Sequence, residues 1–194
     1  MFFRNNFTKA VDSSIFPRKL YTFTGIVEQS LEYTLNIISA LEDPAVKYKN
    51  KDRPDRLSKL KSDIKTGLAD YPPDEIINII TFMIAMESVY NSTNEIKGYI
   101  KELVKYPPVG FDLSEIAIKI SGTAKKAIDG FFAGNVAPDE LESEIFEAET
   151  DLNNALRRLN KLNGKEKQER GRIVYYAGIV AGLKGIINNY GYIG

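Results

Sequence analysis

Four acids around residue 145 carry the spacing that oxygen-ligand chemistry requires. Glu140, Glu144, Glu147 and Asp151 step by four, three and four residues, so on a helix they share one face. Carboxylates one turn apart hold a hard cation or a small metal cluster through oxygen. From Gly134 to Asp151 there are seven acids (Asp139, Glu140, Glu142, Glu144, Glu147, Glu149, Asp151) and no base. The same run has a plainer explanation. Acids at a helix N-terminus and bases at its C-terminus, here Arg157, Arg158 and Lys161, complement the helix dipole.

Glu87 is the second candidate. It is the only charged residue between Glu75 and Glu95, amid Phe82, Met83, Ile84, Met86, Val89 and Tyr90. An acid buried in such company is unfavourable unless paired or bound to something. Asn91 and Asn94 follow it on the same helix, and a polar strip facing solvent explains the three residues equally well. A third candidate, Lys47-Tyr48-Lys49-Asn50-Lys51 with Arg53, Arg56, Lys59 and Lys61, has one aromatic and interleaved acids. Single-strand binders use stacked aromatics along a basic groove, so a solvated charged face is the expectation there.

Composition removes other chemistries. The 26 basic and 26 acidic residues cancel, leaving no global field to attract nucleic acid. Without cysteine there is no disulfide, thiol or iron–sulfur chemistry. Without histidine there is no imidazole-based triad, no ordinary zinc site and no Glu-x-x-His di-iron motif. Any metal must have oxygen ligands. No glycine-rich nucleotide loop appears. Glu144-x-x-Glu147 supplies half of the paired motif of the all-helical nucleotide pyrophosphatases, without a convincing second half. Residues 1–7 lack the apolar stretch of a secretory signal. The most apolar run, Ile76 to Met86, falls far short of the ~20 residues that span a bilayer. A cytoplasmic protein is the expectation.

The positioning elements are helices. Residues 1–20, containing Pro17, read as an N-terminal arm. A first helix runs from about Thr24 to Leu41, with Val27, Leu31, Leu35, Ile38 and Leu41 on one face. Residues 43–53 form a charged connection. The second helix follows Pro54, with the stripe Leu57, Leu60, Ile64 and Leu68. Tyr71-Pro72-Pro73-Asp74 starts a third that reaches about Lys105. Tyr106-Pro107-Pro108-Val109-Gly110 admits no helix, because two prolines remove two backbone donors and fix two φ angles. The fourth helix opens at a predicted capping box, Asp112 with Glu115, and buries Leu113, Ala117, Ile120, Ala124, Ala127 and Phe131.

Pro138 suits the first turn of the fifth helix. Its stripe of Leu141, Ile145, Ala148, Leu152, Ala155, Leu159 and Leu162 predicts bundle packing at shallow angles. The sixth runs from about Lys165 to Asn188. Gly178, Gly182 and Gly185 on it each cost about 1 kcal/mol of helix propensity, which predicts close approach to a neighbour. The halves also match: Leu57, Asp63, Ile64 and Leu68 superpose on Ile145, Asp151, Leu152 and Leu156 at a constant offset of 88. The expected fold is all-α: six helices as two antiparallel three-helix units, residues 21–106 and 111–194, in one compact domain.

Two three-helix units with an acid-x-x-x-Asp motif on the middle helix resemble the PhoU-like proteins, in the branch that accompanies phosphate transporters. Glu147-Ala148-Glu149-Thr150-Asp151 is the full motif in the second unit; Lys59-Leu60-Lys61-Ser62-Asp63 holds the matching place in the first, with lysine for the acid. Tyr71-Pro72-Pro73-Asp74-Glu75-Ile76 is similar to the family's proline-containing lead-in to its third helix. Glu87-x-x-x-Asn91 stands where the family often has an acid-x-x-x-Asp pair, and the sixth helix has no such acids. The resemblance implies a non-enzymatic regulator or accessory protein of phosphate transport, docking on a transporter or signalling protein and reaching the membrane only through that partner. It also implies a divalent or ferric ion held by Glu144, Glu147, Asp151 and Glu87, with Asp63 and Asn91 as further ligands. Two alternatives stay open: a metal-dependent enzyme acting on a phosphorylated small molecule, and a ligand-free scaffold. Self-association fits all three.

Overall fold

The computed structural model describes residues 15–43, 45, 54–134, 138–162 and 167–193. Among them are six α-helices and no strand: α1 (Ile15–Ile38), α2 (Pro54–Gly67), α3 (Pro73–Leu103), α4 (Ser114–Ala133), α5 (Pro138–Lys161) and α6 (Lys167–Gly191). A 3-10 turn, Leu68–Asp70, extends α2. No helix among the described residues is long and apolar enough to cross a membrane.

α1 begins nine residues before the expected Thr24. Pro17 falls in its first turn, where backbone N–H groups have no intrahelical acceptor, so the ring removes nothing the helix needs. Of the predicted arm, residues 15–20 thus belong to α1, with Leu20 fully buried; residues 1–14 lie outside the described residues. So does the basic stretch from Lys47 to Arg53.

α1 packs on α2, α3 and α4, while α6 packs on α3, α5 and α4. The most extensive helix–helix interface joins α3 to α6. The glycines of α6 make it. A Cβ on Gly182 would sit 2.5 Å from Ile96 Cγ1, one on Gly178 2.8 Å from the Tyr99 ring, and one on Gly185 3.2 Å from Ser92 Oγ. Only the bare backbone allows α3 this close.

The α5 stripe buries Leu141, Ala148, Leu152, Ala155 and Leu159, with Ile145 partly covered and Leu162 exposed beyond the helix end. Phe82 of α3 stacks on Phe131 of α4 at 3.7 Å between centroids, and Tyr21 of α1 stacks on Phe132 at 4.1 Å. The predicted capping box is shifted. Leu113 occupies the cap position of α4, and Asp112, one residue further out, accepts from Ser114 N and Ser114 Oγ at 2.8 Å each. The cause is burial of Leu113, which turns Asp112 outward. At the other end Gly134 closes α4 at φ 60°, a left-handed conformation that glycine adopts without steric conflict.

One side of α3 has no cover among the described residues. Ile77 is 61% and Ile84 59% exposed, with Ile80 between them also open to solvent.

Candidate functional site

The acidic face of α5 lies along α4, and α4 answers it with lysines. Lys119 Nζ donates to Asp151 and stands 3.6 Å from Glu147; Lys126 Nζ donates to Glu144. The hydrogen bond from Lys119 to Asp151, helped by both carboxylate charges, holds the Lys119 ammonium above its usual pKa. Glu87 is elsewhere, gripped through both oxygens by Lys61 of α2. Asp63 stands 3.5 Å from Lys19 of α1, and Asn91 is exposed on α3.

The structure therefore brings Glu144, Glu147 and Asp151 onto one face, and leaves Glu87, Asp63 and Asn91 apart from it. Among the described residues no three carboxylates gather closely enough to hold a metal ion. As arranged, Glu144, Glu147 and Asp151 each face a lysine of α4 that a cation would have to displace.

Sequence reasoning missed the most deeply buried polar cluster. Arg172, at the start of α6, is 2% exposed. Its Nη1 donates to the carbonyls of Leu103 and Tyr106, and its Nη2 to Leu41 O and, at 3.0 Å, to Glu42 Oε1. The Glu42 carboxylate also accepts from Tyr176 Oη, Val109 N and Gly110 N. Gly110 presents its N–H from φ 70°. Burial pushes the Glu42 carboxyl up, but the hydrogen bonds from Tyr176, Gly110 and Arg172 and the guanidinium charge outweigh it, so its pKa lies below the ordinary value. Burial, then the Glu42 hydrogen bond and charge, push the Tyr176 hydroxyl well up. This cluster ties the carbonyl ends of α1 and α3 to α6, and its donors are spent on protein groups: it is a clasp. Only Arg172 Nε lacks a partner.

A second polar site lies between α1 and α4. A groove of about 300 Å³ is lined by Glu28 and Glu32 of α1, Asp129, Lys125 and Ser121 of α4, and the phenol of Tyr190 from α6. Tyr190 is 0% exposed, and its hydroxyl has no hydrogen-bond partner. Burial, then the negative charges of Asp129 and Glu32, raise the Glu28 carboxyl, and Lys125 only partly offsets them. Nothing in the sequence linked these residues, since they come from three helices and share no local motif.

The folded chain is thus an all-α protein with lysine-countered acids along α5, a buried arginine clasp and a separate acidic groove. No family model, curated protein or solved structure matches it.

Proposed function

We propose that this chain is a non-enzymatic docking bundle, a regulator or accessory protein of phosphate transport of the PhoU-like kind. The observation that carries the docking reading is the isoleucine stripe of α3. Ile77, Ile80 and Ile84 fall on one helix face and stand open to solvent on the longest helix. Contiguous exposed apolar surface of this sort marks a protein-interaction site. The lysines across from Glu144, Glu147, Asp151 and Glu87 argue the same way, because carboxylates held in ion pairs are poor starting points for metal chemistry.

Repetition supports the paired three-helix architecture. Lys19 of α1 meets Asp63 of α2, as Lys119 of α4 meets Asp151 of α5. Lys61 of α2 meets Glu87 of α3. The phosphate connection rests on the resemblance of Glu147-x-x-x-Asp151 and the Tyr71-Pro72-Pro73 lead-in. The partner is a transporter subunit or its signalling protein, met at the cytoplasmic face of the membrane.

The test is co-purification of the metal-free chain with a co-expressed phosphate transporter in detergent. The wild type and Glu147→Ala/Asp151→Ala are expected to hold the transporter, and Ile77→Asp/Ile84→Asp to lose it. Capture that survives the isoleucine substitutions would overturn the docking face. Hydrolysis of a phosphorylated small molecule that Glu147→Ala abolishes would overturn the non-enzymatic reading.

A further inference from the structure

We propose that the groove between α1 and α4 binds the ammonium groups of an aliphatic diamine or polyamine. This site is separate from the docking face and does not depend on it.

Four observations converge on that chemistry. First, the charge of the lining is lopsided: Glu28, Glu32 and Asp129 face a single base, Lys125. Among the described residues, none of the three carboxylates has a hydrogen bond or ion pair. Glu144, Glu147, Asp151, Glu87 and Asp63 each form an ion pair with a lysine; Lys125 acts on Glu28 only through its charge. Second, the hydroxyl of Tyr190 is fully buried at the groove and unpartnered. Buried polar atoms are almost always paired, and an orphan of this kind points to a donor or acceptor supplied from outside. Burial, and after it the negative charge of Glu28, raise the pKa of that hydroxyl.

Third, the carboxylates are spread out. They do not form a group able to hold a metal ion, so a point charge gains little, whereas a ligand with two or more separated cations reaches them in turn. Fourth, the rest of the lining is hydrocarbon: Leu31, Leu35, Ala124 and Ile128. Methylene groups between ammonium ends match that surface. The volume sits at the lower limit of small-molecule pockets, which suits a slender chain. An ammonium donates hydrogen bonds and accepts none, so it fits carboxylates and the phenol oxygen together, and charge-assisted bonds to carboxylates are the strong kind.

The experiment is isothermal titration calorimetry of the full chain at low salt with spermidine, 1,4-diaminobutane, 1-aminobutane and Mg²⁺. Spermidine and 1,4-diaminobutane are expected to bind saturably at one per chain. Glu28→Gln/Asp129→Asn should weaken them roughly tenfold or more, since each lost charge-assisted bond is substantial. Tyr190→Phe should weaken them about threefold through one neutral hydrogen bond. Glu142→Gln, an exposed acid of α5, should leave binding unchanged. Circular dichroism of each variant controls for folding, and the isosteric changes leave the core packing intact. Four results would each overturn the proposal: no saturable binding, equal affinity for 1-aminobutane, equal weakening by Glu142→Gln, or Mg²⁺ binding that displaces spermidine.

Discussion

The arginine clasp and the acidic groove sit at opposite ends of α6, and they treat buried polarity in opposite ways. At Arg172 nearly every polar atom is answered: four donations leave the guanidinium, and Glu42 accepts from Arg172, Tyr176, Val109 and Gly110. At Tyr190 the hydroxyl is answered by nothing, and three carboxylates spread along the groove that it lines. A satisfied buried network holds elements in register and resists change. An unsatisfied one is a standing cost that some other role must justify. Burial alone therefore does not mark a functional site.

The largest expected effect is at the clasp. Arg172→Met should destabilise the fold by about 3–5 kcal/mol, because it removes the guanidinium charge that faces the part-buried Glu42 carboxylate and the side-chain donor to the Leu41 and Tyr106 carbonyls. Urea denaturation measures it. A loss below about 1 kcal/mol, the size of an exposed ion pair, would erase the contrast with the groove.

Next comes Glu42→Gln, with a cost at neutral pH of about 1.5–3 kcal/mol for a charge-assisted acceptor. The pH dependence has a definite sign. The Glu42 pKa is lowered in the folded state, so its contribution is present above the unfolded carboxylate value and is lost as pH falls through the folded one. The gap between wild type and Glu42→Gln should close in acid. Glu28 runs the other way: its pKa is raised, so its charged form opposes folding above the folded pKa, and protonation relieves this as pH falls. Stability of Glu42→Gln and Glu28→Gln measured across pH 3–7 should therefore diverge from wild type in opposite directions. Parallel curves would break the comparison.

The smallest effect belongs to Tyr190→Phe. Without ligand it should change stability by less than about 1 kcal/mol, in the stabilising direction, because it removes an unpaired buried hydroxyl and keeps the ring. A thermal melt checks this, and clear destabilisation would mean that the hydroxyl has a partner after all.

Much of the scaffold was readable from local pattern. The six helices, the α5 stripe and the glycine face of α6 follow from periodicity, propensity and side-chain size within one segment. Pro17 misled, because a proline near a helix start looks the same in sequence whether it sits inside the first turn or ahead of it. Asp112 misled because burial of Leu113, a tertiary effect, moved the cap by one residue. The sites were far less readable. Glu144, Glu147 and Asp151 do share a face, as their spacing requires, but Lys119 and Lys126 approach from another helix, and no intrahelical pattern reveals them. Glu42 looked like one charge in a polar connection and Arg172 like one base in a charged run. Their pairing exists only once α1 and α6 meet.

That dependence on the last helix has a consequence for synthesis. Leu41, Glu42, Leu103 and Tyr106 leave the ribosome well before Arg172, and α3 offers its seam of Ser92, Ile96 and Tyr99 before the glycines of α6 exist. At about 5–20 residues per second, the interval from Tyr106 to the end of α6 is on the order of ten seconds. For that time the N-terminal half carries its longest helix without its main packing partner. The fold is thus completed only when α6 arrives, and a truncation that removed α6 would leave the α3 seam of Ser92, Ile96 and Tyr99 without its glycine partner.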